Sequence, residues 1–147
     1  MTRALVVDDD EAIRDTLYEL LSEHYICQTA ETAEKAIARL QADTYDVVLT
    51  DISMPGLSGL ELLGQVRQRF PNTPVIVISG ISDKEHAQGL IRLGAFDYLL
   101  KPFSLDEVEK SVKRAVDYRR QLLEESARET TTDEDDTGDW QIVTRQE

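Results

Sequence analysis

The chain has one cysteine, two histidines and few cations for its acids. A single cysteine, Cys27, cannot close an internal disulfide. It sits in an apolar run, where a buried small hydrophobe is the expected role rather than a reactive thiol. His24 and His86 have no Cys or His partners at metal-ligand spacing, so they read as a polar helix-end and a helix-surface residue. Lys and Arg number 16 against 29 Asp and Glu, a formal charge of -13. That balance opposes nucleic-acid binding by this chain, because phosphate contacts need cations. It equally opposes docking on anionic membranes. No apolar stretch is long enough to span a bilayer. Met1-Thr2-Arg3 leads directly into a strand pattern, so no signal peptide is visible and a cytoplasmic location is the default expectation.

The 147 residues suffice for one domain with a full core and some residues to spare. Strand and helix patterns alternate five times, which predicts a parallel sheet covered by helices on both faces. Leu5–Val7, Val47–Leu49 and Val75–Ile78 are continuously apolar, as central strands should be. Tyr25–Ala30 and Asp97–Leu100 are mixed, as edges should be. The order 2-1-3-4-5 of a flavodoxin-like α/β fold follows. Helices are expected over Glu11–Glu23 behind an Asp10 cap, from Thr32 to about Gln41, after Ser58, from Ser82 or Asp83 to a Gly94 C-cap, and from Ser104 onward. The apolar pattern of that last helix thins beyond Tyr118. We therefore divide the chain into a domain over 1–118, a helical extension over 119–128 and an acidic linker or tail over 129–147. The run from Glu129 to Asp139 is too polar to bury a core of its own, and Trp140–Val143 reads as a truncated start or a sticky end.

Four strands end on chemically capable groups: Asp8-Asp9-Asp10, Asp51, Ser79-Gly80 and Lys101-Pro102. In a parallel sheet these share the carboxyl edge, where ligands of open α/β sheets bind. Carboxylates, a hydroxyl and a lysine on one rim point to a metal and a phosphoryl group. Each has a plainer explanation on its own. Asp8 to Asp10 could be a helix N-terminal acidic cluster, which is the reading adopted for Asp10. Asp51 alone could be a turn residue, Lys101 a surface lysine, Ser79 a strand-end hydroxyl and Tyr98 a core ring. Those readings leave the shared strand-end location unexplained.

Val6-Val7-Asp8-Asp9, Asp51 with Met54-Pro55-Gly56, Ser79-Gly80, and Gly94 through Phe103 together resemble the receiver domain of two-component response regulators, of the chemotaxis-regulator kind. The resemblance covers roughly residues 3 to 118. It implies a Mg²⁺-dependent phosphoacceptor that takes a phosphoryl group from a sensor histidine kinase or phosphotransfer protein onto Asp51. It implies Asp9, Asp51 and the Ser53 carbonyl as direct metal ligands, with Asp8 acting largely through water. Lys101 and Ser79 would contact the phosphoryl group, and Ser79 with Tyr98 would form the switch. Lys101-Pro102 is expected to be cis. Such a protein catalyses only its own phosphorylation and dephosphorylation. Leu122 and Leu123 leave two readings open, a solvated helix end or a seam for a homodimer.

Rival readings fare worse. A haloacid-dehalogenase-type enzyme could use Asp8-x-Asp10, but it needs an acidic pair after the lysine, where Pro102-Phe103 stands, and it leaves Asp51 idle. A flavin carrier on the same fold would cradle phosphate in its first loop, which three aspartates would repel. A receiver-like scaffold without phosphotransfer would have no use for the complete residue set.

Overall fold

The computed structural model describes residues 2–54, 56, 58–80 and 84–137, the stretch 129–137 as backbone. Five strands alternate with five helices: β1 (Arg3–Val7), α1 (Glu11–Ser22), β2 (Ile26–Ala30), α2 (Ala33–Ala42), β3 (Val47–Asp51), α3 (Gly59–Arg69), β4 (Val75–Ser79), α4 (Lys84–Arg92), β5 (Asp97–Leu100) and α5 (Leu105–Thr137). All pairings are parallel and the order is β2-β1-β3-β4-β5. The two strands of mixed polarity are the edges, as their composition requires.

Side chains alternate across each strand, so every central strand feeds two cores. Leu5, Val7, Val48, Val75 and Val77 point to one face and pack with Ala33, Ala36, Leu40, Leu62, Leu63, Val66 and Leu90 of α2, α3 and α4. Ala4, Val6, Val47, Leu49, Ile76 and Ile78 point to the other and meet Leu17 and Leu21 of α1 and Val108, Val112, Ala115 and Val116 of α5. Each fully buried leucine here, such as Leu17, contributes about 1.5–3 kcal/mol relative to exposure. Cys27 is buried in the second core, and that burial pushes its thiol up to about 11. It is an inert core residue.

Asp10 and Ser58 cap their helices as expected, and Thr32, expected as a first helical residue, is the cap of α2. Asp10 accepts from the Ala12 and Ile13 amides at 2.9 and 3.4 Å, and Thr32 accepts from Lys35 at 3.1 Å. Ser58 and Glu61 form a reciprocal capping box at α3. Gly94 ends α4 with φ +107°. The expected α4 start at Ser82 or Asp83 lies outside the described residues, as do Pro55 and Leu57 of the loop after β3 and the segment from Gly138 to Glu147 with Trp140.

The last helix differs from the expectation. It passes unbroken through Tyr118 and Arg128 to Thr137. A helix already nucleated on a sheet gains one hydrogen bond per residue added, so an extension needs no core of its own. The acidic composition argued against a packed unit, and it carried no such argument against continuing a helix. Near its start α5 is held by polar contacts: Asp97 Oδ2 accepts from the buried Ser111 hydroxyl at 2.6 Å and from Arg114 at 2.7 Å.

Candidate functional site

The carboxyl edge of the sheet gathers the expected groups. Asp8 follows β1 and is 1% exposed, and Asp51 closes β3 and is 5% exposed. Asp9, beside them, is exposed. Asp8, Asp9 and Asp51 each offer a carboxylate oxygen within 4.8 Å of the others. From the far side Lys101 reaches in, its Nζ 3.4 Å from Asp51 Oδ1. The Lys101-Pro102 peptide is cis, and the Lys101 amide donates to the Ser79 carbonyl at 2.8 Å.

Local hydrogen bonds set the aspartates. The Asp8 amide donates to the Ala30 carbonyl at 3.2 Å, extending the β1–β2 ladder by one residue. Asp8 Oδ1 accepts from the Asp10 amide at 2.9 Å, while Oδ2 is buried without a hydrogen-bond partner among the described residues. Arg14, one turn into α1, donates to the Asp8 carbonyl at 2.8 Å. Asp51 Oδ1 accepts weakly from the Ser53 amide at 3.4 Å, and the Thr50 hydroxyl donates to the Asp51 carbonyl at 3.0 Å. Burial raises the Asp8 carboxyl to about 6. The Asp10 amide pulls it down, Asp51 pushes it up, Lys101 lowers it and Asp9 raises it, each by less.

These features fit a hard divalent cation. Such ions take carboxylate oxygens and water. Three converging carboxylate groups on one rim, with one buried oxygen left unpaired, supply that donor set and gain from neutralisation.

The backbone approaches closely at Gly59, the first residue of α3. A Cβ there would stand 2.0 Å from the Asp51 carbonyl oxygen and 2.7 Å from Ile52 Cα. The absence of a side chain lets α3 start directly against the strand end that carries Asp51. A glycine just behind a serine cap, where a better helix former would be usual, is the sequence signal for this contact.

Ser79 is fully buried at the end of β4. Tyr98 lies in β5 opposite Val77, two residues before the Leu100 that pairs with Ser79, and its ring is half-buried. One expectation fails here. His86 is not a surface residue of α4. It is half-buried, and its ring meets Tyr98 edge-on with centroids 6.1 Å apart. Its spacing of four from the buried Leu90 puts both on the inward stripe of α4, a signal that the polarity of histidine obscured.

With this fold and rim, the comparison with known proteins is decisive at the level of family. The chain belongs to the response regulator receiver domain family, which matches residues 4–113. It is therefore a signalling phosphoacceptor of a two-component system. It is 45% identical over 114 residues to the DNA-binding transcriptional regulator NtrC of Salmonella typhimurium, covering 77% of this chain and 24% of that protein. The chain thus spans about a quarter of the length of the curated relatives it matches. Among solved structures, NtrX from Brucella abortus in complex with ADP superposes with a TM-score of 0.80 at 36% identity, over 86% of this chain and 30% of that one. The receiver domain of the Francisella response regulator 1452 gives 0.76 at 33% identity, over 82% and 99%. Among the described residues no helix is long and apolar enough to cross a membrane.

Proposed function

We propose that Asp51 is the phosphoacceptor and that the donor is a phosphohistidine on a sensor kinase or phosphotransfer protein. The observation that carries this is the placement of Asp51: a buried carboxylate at a strand end, flanked by Asp8 and Asp9 and faced by Lys101 at 3.4 Å. An Asp51 carboxylate oxygen bonds to phosphorus as the donor's P–N bond breaks, and the leaving imidazole keeps its electron pair and takes up a proton. Asp9, Asp51 and the Ser53 carbonyl would hold Mg²⁺ directly, with Asp8 acting through water. When bound, the ion offsets charge on the transferring group. Lys101 adds a compact positive charge on the opposite side. The Ser79 hydroxyl donates to a phosphoryl oxygen once one is present, and Tyr98 answers its movement.

The protein catalyses only its own phosphorylation and dephosphorylation, and it acts in the cytoplasm. Likeness to transcriptional regulators over this segment favours a transcriptional output over the chemotaxis kind. The chain itself binds no nucleic acid in this reading, since its charge is -13. The α5 extension beyond the receiver offers Leu122 and Leu123 to a second copy as a homodimer seam.

The experiment is labelling with acetyl phosphate and Mg²⁺. The parent gains one phosphoryl group, and Asp51→Asn, which keeps the size but removes the nucleophile, gains none. Undiminished labelling of the variant would overturn the assignment.

A further inference from the structure

Helix α4 meets the rest of the domain through a narrow stripe. Leu90 is its one buried residue among those described, and His86 lies one turn before it on the same side. The His86 ring stands edge-on to Tyr98, with an angle of 76° between the planes. Its Nε2 is buried and has no hydrogen-bond partner among the described residues. An aliphatic or phenyl side chain would fill this place without leaving a polar atom unpaired, so packing alone does not account for a histidine. Buried polar atoms without partners cost free energy, and a state that gives this nitrogen a partner or water is favoured by the same amount.

We propose that His86 is a positioning residue that links Tyr98 to α4 and biases the switch. The link rests on the reading of Tyr98 as the ring that answers Ser79. The Tyr98 ring lies edge-on to His86, and Tyr98 sits on the strand next to the one ending in Ser79. When Tyr98 moves, the imidazole loses its present contact and its sealed nitrogen gains access to a partner. Both changes act on α4, whose one buried residue among those described is Leu90. The resting arrangement carries the cost of the unpaired nitrogen, so the phosphorylated arrangement needs less driving force. A ligand or modification shifts an equilibrium only through such a difference between the two states. His86 supplies part of that difference from the α4 side.

The test uses the full chain with Mg²⁺ and beryllium trifluoride as the phosphoryl analogue, followed by nuclear magnetic resonance. In the parent, the Tyr98 ring signals, the Leu90 and Ile91 amides and the His86 Nε2 resonance should all move. In His86→Ala the Tyr98 signals should still move, while the Leu90 and Ile91 shifts lose about half or more of their amplitude. In His86→Phe, which keeps a ring and removes the nitrogen, the resting state gains. The α4 amides should then complete less of their shift at the same analogue concentration. If Leu90 and Ile91 move as far in both variants as in the parent, His86 is not the link. An Nε2 resonance of the parent that ignores the analogue overturns the proposal without recourse to any variant. If Tyr98 itself does not respond in the parent, the reading of Tyr98 has failed, and the link through His86 falls with it.

Discussion

Arg119 forms a partly buried ion pair with Asp46, Nε to Oδ1 at 3.0 Å, across 73 residues of sequence. The same guanidinium donates to the Asn72 carbonyl at 3.0 Å and to the Thr73 hydroxyl at 3.4 Å. Asp46 also accepts from the Arg3 amide at 2.8 Å, and the Thr73 hydroxyl donates to the Tyr45 carbonyl at 3.2 Å. One side chain of α5 thus ties together the start of β1, the loop before β3 and the loop before β4, at the amino edge of the sheet. Arg119 is 9% exposed, although in sequence it reads as a charge interrupting an apolar pattern.

The folding unit that we propose therefore runs past Tyr118. Arg119→Ala leaves Asp46 partly buried and short of its charge partner, a loss of about 2 kcal/mol. A chain ending at Tyr118 should lose the same amount, and one ending at Glu124 should not. Urea unfolding of the three forms checks this. Equal midpoints for the chains ending at Tyr118 and Glu124 would show that the clamp adds nothing.

Two glycines of α3 should respond in opposite senses. Gly59→Ala drives a methyl into the backbone of Asp51 and Ile52, so α3 or the end of β3 must shift. Stability should fall by about 2 kcal/mol or more, as in overpacked cores, and labelling with acetyl phosphate should slow. Gly64→Ala meets no atom within 4 Å on an exposed helix face, and should stabilise by up to about 1 kcal/mol with labelling unchanged. Thermal unfolding with parallel labelling reads both. A neutral Gly59→Ala would mean that the approach of α3 to Asp51 is not required.

Asp8 is held in a state that disfavours its charge. Its folded carboxyl sits at about 6 against an ordinary 3.8, chiefly through burial. The folded state therefore binds this proton more tightly than the unfolded one. Ionised Asp8 costs stability above that range, and the cost fades as pH falls through it. In the presence of chelator near neutral pH, Asp8→Asn should stabilise the fold by about 1–3 kcal/mol. The gain should shrink from about pH 7 toward about pH 4. Unfolding curves across that range decide. A variant less stable than the parent near neutral pH would show that the carboxylate is satisfied as it stands.

How much of this was legible in sequence follows from what each signal depends on. The five apolar or mixed runs and their strand-end residues depend on local pattern, and the sheet order, the Asp10 and Ser58 caps and the cis Lys101-Pro102 bond match the structure. The convergence of Asp8, Asp9, Asp51 and Lys101 was legible because a parallel sheet places all strand ends on one edge. Arg119 and His86 were not, because their partners are distant in sequence and their polarity argues for solvent. The length of α5 was not, because low apolar content speaks against packing and is silent on helix propagation.

Mg²⁺ binding should be weak without a phosphoryl group, because the ion keeps most of its waters and the rim provides few ligands. Asp9→Ala should abolish it. Titration followed through amide signals around Asp51 reads the affinity, and a variant that titrates like the parent would move the metal to another place.

The most direct measurement is the position of the phosphoryl group itself. The chain is phosphorylated with acetyl phosphate and Mg²⁺, reduced with borohydride to convert the acyl phosphate to an alcohol, and digested for mass spectrometry. Reduction should mark residue 51 as homoserine and leave residues 8 and 9 as aspartate. A mark at Asp8 or Asp9, or a phosphoryl group that resists borohydride, would contradict the account.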